Sequence, residues 1–236
     1  MYTESEESVI KFVFFDLGLT LVENGMPERY REAMEKCGIF VSGERAADIY
    51  HLTNKYFMRE RQGEMGKGNP KVFEDYVSFA CALAGNPAKA DAVRKELLKQ
   101  AESVWSAFPY TVSVLQGLRQ RGLGIGLISN WDSSCRKVLA ENDLMELLDV
   151  VVISSEEKVE KPDARIFEEA LSRAGVSGED CLYVGDNYYD DGVGAAKVRM
   201  KSLIINPPDY LGIEELKEKG ITVISDIREI LQTEVL

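Results

Sequence analysis

Asp16 closes the apolar run Val9, Ile10, Phe12, Val13, Phe14 and Phe15, and Thr20 follows four positions later. So short a stretch of aromatic and β-branched residues is the pattern of a strand buried on both faces of a parallel sheet. Ligands of open α/β sheets bind at the carboxyl ends of the strands, so a carboxylate there is placed to meet a substrate as a nucleophile. A surface Asp after a strand is the plainer alternative. Three later segments carry further candidates. The apolar run Gly124-Ile125-Gly126-Leu127-Ile128 ends in Ser129 and Asn130, Lys161 stands before Pro162, and Leu182-Tyr183-Val184-Gly185 ends in Asp186 with Asp190 and Asp191 behind it. Each has a duller competitor. Ser129, Asn130 or Asp132 would serve equally to cap a helix that begins near Asp132. Lys161 ends the charged stretch Glu156-Glu157-Lys158-Val159-Glu160-Lys161, where a solvated lysine is ordinary and Lys158 is the other choice.

These residues need elements to hold them. From Phe108 onward the pattern alternates: a helix over Val112 to Gln120, a strand over Gly124 to Ser129, a helix over Ser133 to Asn142 and a strand over Val150 to Ser154. It continues with a helix over Ala164 to Ala174, a strand over Cys181 to Gly185, a helix over Val193 to Val198 and a strand over Ser202 to Ile205. A further helix, a strand over Ile221 to Ser225 and a last helix complete the tail. Such alternation demands parallel strands with helices on both faces. Between about Pro27 and Glu102 no buried strand is readable. Helices are expected there over Tyr30 to Cys37, Ala46 to Arg61, Val72 to Ala84 and Lys89 to Trp105, with a Gly- and Lys-containing loop from Gly63 to Pro70.

The composition bounds what such a chain does. With 236 residues, 45% of them hydrophobic, it can bury a full core. No apolar run reaches the roughly 20 residues of a membrane span, and Met1 to Ser8 is acidic, which reads as a cytoplasmic protein without a membrane partner. A net charge of −12 with no long Lys/Arg cluster argues against nucleic acid. Cys37, Cys81, Cys135 and Cys181 are too far apart for a redox or metal pair and read as reduced, mostly buried thiols. His51, the only histidine, excludes multi-histidine metal chemistry and is expected at a surface or in the insertion.

Taken in order, the four segments resemble the haloacid dehalogenase superfamily of phosphohydrolases. The first motif of that family is an apolar strand followed by Asp-x-Asp-x-Thr; Asp16 and Thr20 match it, and Gly18 stands in place of the second Asp. Gly124 to Asn130 matches the second motif, Lys161-Pro162 the third, and Leu182 to Asn187 with Asp191 and Gly194-Ala195 the fourth. The resemblance implies a Rossmann-like, doubly wound parallel α/β core over residues 1–22 and 106–236, with an α-helical cap inserted over 23–105. It further implies that Asp16 attacks phosphorus and becomes an aspartyl-phosphate. Thr20, Ser129, Asn130 and Lys161 would then hold the phosphoryl group, with Lys161 offsetting its charge. The cofactor implied is Mg²⁺, bound by Asp16, the backbone carbonyl of Gly18, Asp186 and Asp191, with Asp190 the neighbouring choice for the last. A small phosphorylated molecule is the implied substrate.

Gly18 departs from the pattern where it matters for turnover. The missing Asp ordinarily protonates the leaving alkoxide and then activates the hydrolytic water, a role worth about 10²–10⁴-fold. Four readings follow. One is a phosphatase whose leaving group finds its proton elsewhere. Another is a phosphonate-cleaving enzyme with a cap lysine, for which Lys36, Lys55 and Lys67 are available. The third is a haloacid dehalogenase, against which Asp186 and Asp191 speak because halide displacement needs no metal. The last is a non-catalytic module that binds a phosphorylated metabolite or a protein.

Overall fold

The computed structural model describes residues 9–100, 104–233 and 236, and the chain falls into two compact units. One comprises Met1–Glu23, Ser106–Tyr210 and Glu215–Leu236, the other Asn24–Trp105 with Leu211–Glu214. The chain opens with β1 (Phe12–Phe15) and β2 (Val22–Glu23), followed by α1 (Met26–Lys36), α2 (Gly43–Glu60), α3 (Pro70–Leu83) and α4 (Ala90–Lys99). Next come β3 (Ser106–Ala107), α5 (Thr111–Gln120), β4 (Gly124–Ser129), α6 (Cys135–Glu141), β5 (Val150–Ile153), α7 (Ser154–Glu157) and α8 (Ala164–Ala174). The last elements are β6 (Cys181–Gly185), α9 (Asp191–Lys197), β7 (Lys201–Ile205), α10 (Glu215–Glu218), β8 (Thr222–Ile224) and a 3₁₀ helix, Ile227–Gln232.

The first unit is built on a parallel sheet of six strands in the order β5-β4-β1-β6-β7-β8. Chain order reverses across β1, which lies between β4 and β6, so the crevice at this switch point opens beyond the ends of those three strands. Phe12 and Phe14 face Gly124 and Gly126 in the neighbouring strand. Their rings stack 4.6 Å apart over the two glycines, and a Cβ at Gly124 would lie 2.3 Å from the Phe12 ring. Two aromatic side chains thereby cover a stretch of sheet whose own strand supplies no side chain, and this fixes the register of β1 against β4. On that face Phe12, Phe14, Ile128, Val152, Cys181 and Tyr183 pack against Ile166, Phe167 and Ala170 of α8. The alternate residues Val13, Phe15, Ile125 and Leu127, also buried, point to the other face, where α5 packs on β4.

The second unit is helical. Tyr30, Met34, Ile49, Phe57, Val72, Tyr76, Val77 and Val93 form its core. Ser42 caps α2 by accepting from the Arg45 N–H at 3.1 Å, and Asn69 caps α3 by accepting from Lys71 N–H at 3.0 Å. His51 lies on α2 and donates from Nε2 to the Leu211 carbonyl at 3.1 Å. Burial first, and the nearby Lys55 second, push its pKa down to about 4. Cys81, Cys135 and Cys181 are buried, Cys37 is half-buried, and all four are free thiols.

Several elements differ from expectation. Val9 is exposed, and β1 starts only at Phe12. α4 ends at Lys99, residues 101–103 of the helix expected to Trp105 lie outside the described residues, and the last helix is a single 3₁₀ segment. β2 pairs antiparallel with β3 through Val22↔Ala107 and Glu23↔Ser106, a ribbon where the helical insertion leaves and rejoins the sheet unit. Two-residue strands carry no hydrophobic period, so nothing in the sequence announces them.

Candidate active site

Asp16 follows β1 directly, and its backbone N–H still joins the sheet by donating to the Val184 carbonyl at 2.9 Å. The chain then turns tightly. The amides of Leu21 and Val22 both reach back to the Leu17 carbonyl, at 2.9 and 3.1 Å, and Leu19 adopts a φ of 56°. Leu17 and Leu21 are wholly buried and anchor the turn, which leaves the Asp16 side chain 14% exposed at the end of its strand. Gly18 lies within this turn, bridged to Val22. Thr20 is buried, and its hydroxyl oxygen has no hydrogen-bond partner among the described residues.

Lys161 is the centre of the constellation. Its Nζ donates to Asp16 Oδ1 at 2.7 Å, to Asp191 Oδ1 at 2.7 Å and to Tyr183 Oη at 2.9 Å, and the side chain is 3% exposed. Burial alone would discharge the ammonium, but Asp16 and then Asp191 outweigh it and hold the pKa well above the ordinary lysine range. The backbone of Lys161 is fixed as well. Asn130 donates from Nδ2 to the Lys161 carbonyl at 3.0 Å and accepts from its N–H at 2.7 Å. Lys158, the other lysine considered, ends α7 with a φ of 56° and has no such place.

Asp186 follows β6 as Asp16 follows β1, and it is buried. Asp191 begins α9; its Oδ2 accepts from the Asn187 N–H at 3.0 Å while Oδ1 holds Lys161. Asp190 is tied to Asn187 Nδ2 at 2.8 Å, and burial, followed by the charge of Asp191, pushes its pKa up to about 7. Carboxylate oxygens of Asp16, Asp186 and Asp191 lie within 4.8 Å of one another. Three hard oxygen donors at that spacing suit a hard divalent cation such as Mg²⁺, which takes a few carboxylates and keeps several waters.

Of the residues expected from sequence, Asp16, Lys161, Asp186 and Asp191 are thus gathered in one cluster. Ser129 ends β4, the strand beside β1, and is buried. It does not cap α6, because the turn into that helix is held by Asp132, whose Oδ1 accepts from the Ser134 N–H at 2.8 Å. The Asn130 side-chain amide bonds the Lys161 backbone through both its oxygen and its nitrogen, and so it positions the lysine. Tyr183 was missed. It reads as one more apolar residue of β6, and the available signal was that a phenol in a fully buried strand must find a polar partner.

The family described as haloacid dehalogenase-like hydrolase matches residues 10–198. A haloacid dehalogenase-like hydrolase domain-containing protein 3 of Mus musculus is 35% identical over 137 residues, covering 56% of this chain and 55% of that protein. The chain therefore spans little more than half the length of that relative. A glyceraldehyde 3-phosphate phosphatase of Pyrococcus abyssi is 30% identical over 203 residues, covering 83% of this chain and 81% of that one. The crystal structure of a HAD phosphatase from Thermococcus onnurineus superposes with a TM-score of 0.56 at 21% identity, covering 94% of this chain and 97% of that chain. That similarity is one of fold, and it extends over both units. The family match spans the four segments that carry Asp16, Ser129, Lys161 and Asp186 with Asp191, and the chain belongs to the haloacid dehalogenase-like hydrolases.

Proposed function

We propose that the protein is a Mg²⁺-dependent phosphohydrolase that cleaves a small phosphorylated metabolite through an aspartyl-phosphate at Asp16. The observation that carries this reading is the single buried ammonium of Lys161 bonded to both Asp16 and Asp191, with Asp186 within reach of both carboxylates. A phosphate ester repels nucleophiles through its own charge, so a carboxylate nucleophile needs a neutralising group already in place. Lys161 is that group. An Asp16 oxygen attacks phosphorus as the bond to the leaving alkoxide breaks. Water then attacks the same phosphorus, returning Asp16 as a carboxylate and releasing inorganic phosphate. Mg²⁺, bound among Asp16, Asp186 and Asp191 with the Gly18 carbonyl, would supply further charge neutralisation and orient the phosphoryl oxygens. Ser129 and Thr20 are assigned to the phosphoryl group, and the orphaned hydroxyl of buried Thr20 is consistent with that assignment. Residues 23–105 are assigned the role of a cap that selects the substrate. The phosphatase relatives support a phosphorylated metabolite of triose phosphate size as the first to try.

Gly18 limits the rate rather than the site. The alkoxide leaves without a proton from position 18, so the ester of an ordinary alcohol such as a triose phosphate must take that proton from a cap residue, a water or the substrate itself, and turns over slowly. The test compares wild type, Asp16→Asn and Gly18→Asp with and without Mg²⁺ on p-nitrophenyl phosphate, whose leaving group needs little protonation, and on glyceraldehyde 3-phosphate, whose leaving group is poor. Turnover in wild type that needs both Mg²⁺ and Asp16, and a rise of about tenfold or more in Gly18→Asp on a poor leaving group, is expected. A folded wild-type protein that turns over no phosphate ester with Mg²⁺ would refute the reading.

A further inference from the structure

Tyr183 lies in the middle of β6, fully buried, with its ring packed 5.4 Å from that of Phe167. Its hydroxyl is used twice. Oη accepts from Lys161 Nζ at 2.9 Å and donates to the Ile128 carbonyl of β4 at 2.8 Å. Burial holds the phenol pKa well above its ordinary value, so the proton it donates stays on the oxygen. A lysine ammonium has three N–H groups, and here Asp16, Asp191 and Tyr183 take one each. The two carboxylates alone do not determine where the ammonium stops, because a flexible four-carbon stem lets Nζ slide between them. The third bond closes the tetrahedron. Since β1 lies between β4 and β6, the Tyr183 side chain reaches beneath β1 to Ile128, and it fixes the ammonium relative to the strand that carries Asp16.

We infer that Tyr183 is a positioning residue for the reaction at Asp16, holding the Lys161 ammonium where a phosphoryl group on Asp16 needs it. The inference rests on the phosphohydrolase reading, and it assigns to the phenol hydroxyl a function that packing of the ring does not supply. Removing the oxygen while keeping the ring leaves one N–H of a buried ammonium unpartnered. Hydrogen-bond partners that orient the ligands of a metal site are typically worth about 10–100-fold in activity, and the same order is expected for a partner that orients the ammonium. The loss falls on the chemical step, because Mg²⁺ binding by the carboxylates and entry of substrate do not use the hydroxyl.

The experiment is a steady-state comparison of wild type, Tyr183→Phe and Phe167→Leu on p-nitrophenyl phosphate with Mg²⁺, with Asp16→Asn as the null. Beryllium fluoride affinity in the presence of Mg²⁺, read by calorimetry, supplies a measurement that needs no turnover. Tyr183→Phe is expected to lower kcat about 10–100-fold with KM and the Mg²⁺ dissociation constant within about twofold of wild type, and to weaken beryllium fluoride binding by a comparable factor. Phe167→Leu, which disturbs the same packing but keeps the hydroxyl, is expected to retain most of kcat. A folded Tyr183→Phe protein with wild-type kcat and beryllium fluoride affinity overturns the inference, as does an equal loss of kcat in Phe167→Leu. If wild type neither turns over the ester nor binds beryllium fluoride, the phosphohydrolase reading itself falls, and this inference with it.

Discussion

Gly185→Ala should disable the site through an added methyl group that touches neither substrate nor metal. Gly185 is the last residue of β6, and an ideal Cβ built on it would lie 2.1 Å from Asp191 Oδ2 and 2.5 Å from Asp191 Cγ. Ordinary contact begins near 3.4 Å, so the Asp191 carboxylate must retreat by about 1 Å. It has little room, because Oδ2 is bonded to the Asn187 amide and the residue begins α9. A shift of that size takes the 2.7 Å bond to Lys161 beyond hydrogen-bonding range, and the buried ammonium keeps only Asp16 and Tyr183. Removing one partner of a buried ion pair outright costs about 3–5 kcal/mol, and with Asp16 remaining about 2–3 kcal/mol is the reasonable expectation. For a chain of this length that lowers the melting temperature by roughly 5–10 °C. A displacement of about 1 Å in a group that sets the charge at the nucleophile should also lower kcat on the order of 10²-fold. Calorimetric melting and Mg²⁺-dependent turnover of p-nitrophenyl phosphate measure both. Gly43→Ala is the control, since nothing lies within 4 Å of its would-be Cβ. A Gly185→Ala protein with wild-type melting temperature and kcat would show that Asp191 is not held as described.

Two further outcomes are open to direct measurement. The His51 pKa is pushed below its ordinary 6.5 to about 4, so the folded chain favours the neutral ring. Acid therefore protonates the unfolded chain first, and stability falls as pH drops from about 6.5 towards 4, then levels off. Allowing for partial exposure, the loss is about 1–2 kcal/mol. As the only histidine, His51 gives a clean proton NMR titration, and His51→Gln should flatten melting temperature against pH in that window; an NMR midpoint near 6.5 would contradict the burial argument. For the metal, ligand binding to the folded state alone stabilises by about 2.7 kcal/mol at a hundredfold excess over Kd. Mg²⁺ should raise the melting temperature of wild type and not of Asp186→Asn, whereas equal shifts in both would place the cation elsewhere.

Much of this was legible because strand ends are both a physical boundary and the place where chemistry sits. The runs before Asp16, Ser129 and Asp186 are buried on both faces, so they read as continuous apolar segments, and the first polar residue after each marks the crevice. The helical insertion was legible from its 3.6-residue period. What the sequence hid were the contacts that run between segments. Asn130 reads as a phosphate ligand by its place after Ser129, yet its amide closes on the backbone of Lys161, 31 residues away. Only the fold shows that distance closed. Tyr183 was hidden by its neighbours, since between Leu182 and Val184 an aromatic ring fits the strand pattern without its hydroxyl being counted.

Gly18 separates two functions that the family's pattern usually supplies together. Charge neutralisation at Asp16 depends on Lys161, and Lys161 depends on Asp191, Tyr183 and Asn130, none of which lies in the turn that contains Gly18. The turn itself is held by Leu17 and Leu21 through buried side chains and backbone bonds to the Leu17 carbonyl, so it needs no carboxylate at position 18 to keep its shape. A glycine at position 18 therefore leaves the charge-neutralising half of the proposed site intact. An apparatus that buries a lysine against Asp16 and holds it with a buried carboxylate and a buried tyrosine is costly to keep in a protein that only binds, because each of those groups must be desolvated and paired. That cost is the physical argument for the chemistry proposed at Asp16, in which the source of the leaving group's proton is the step that position 18 leaves open.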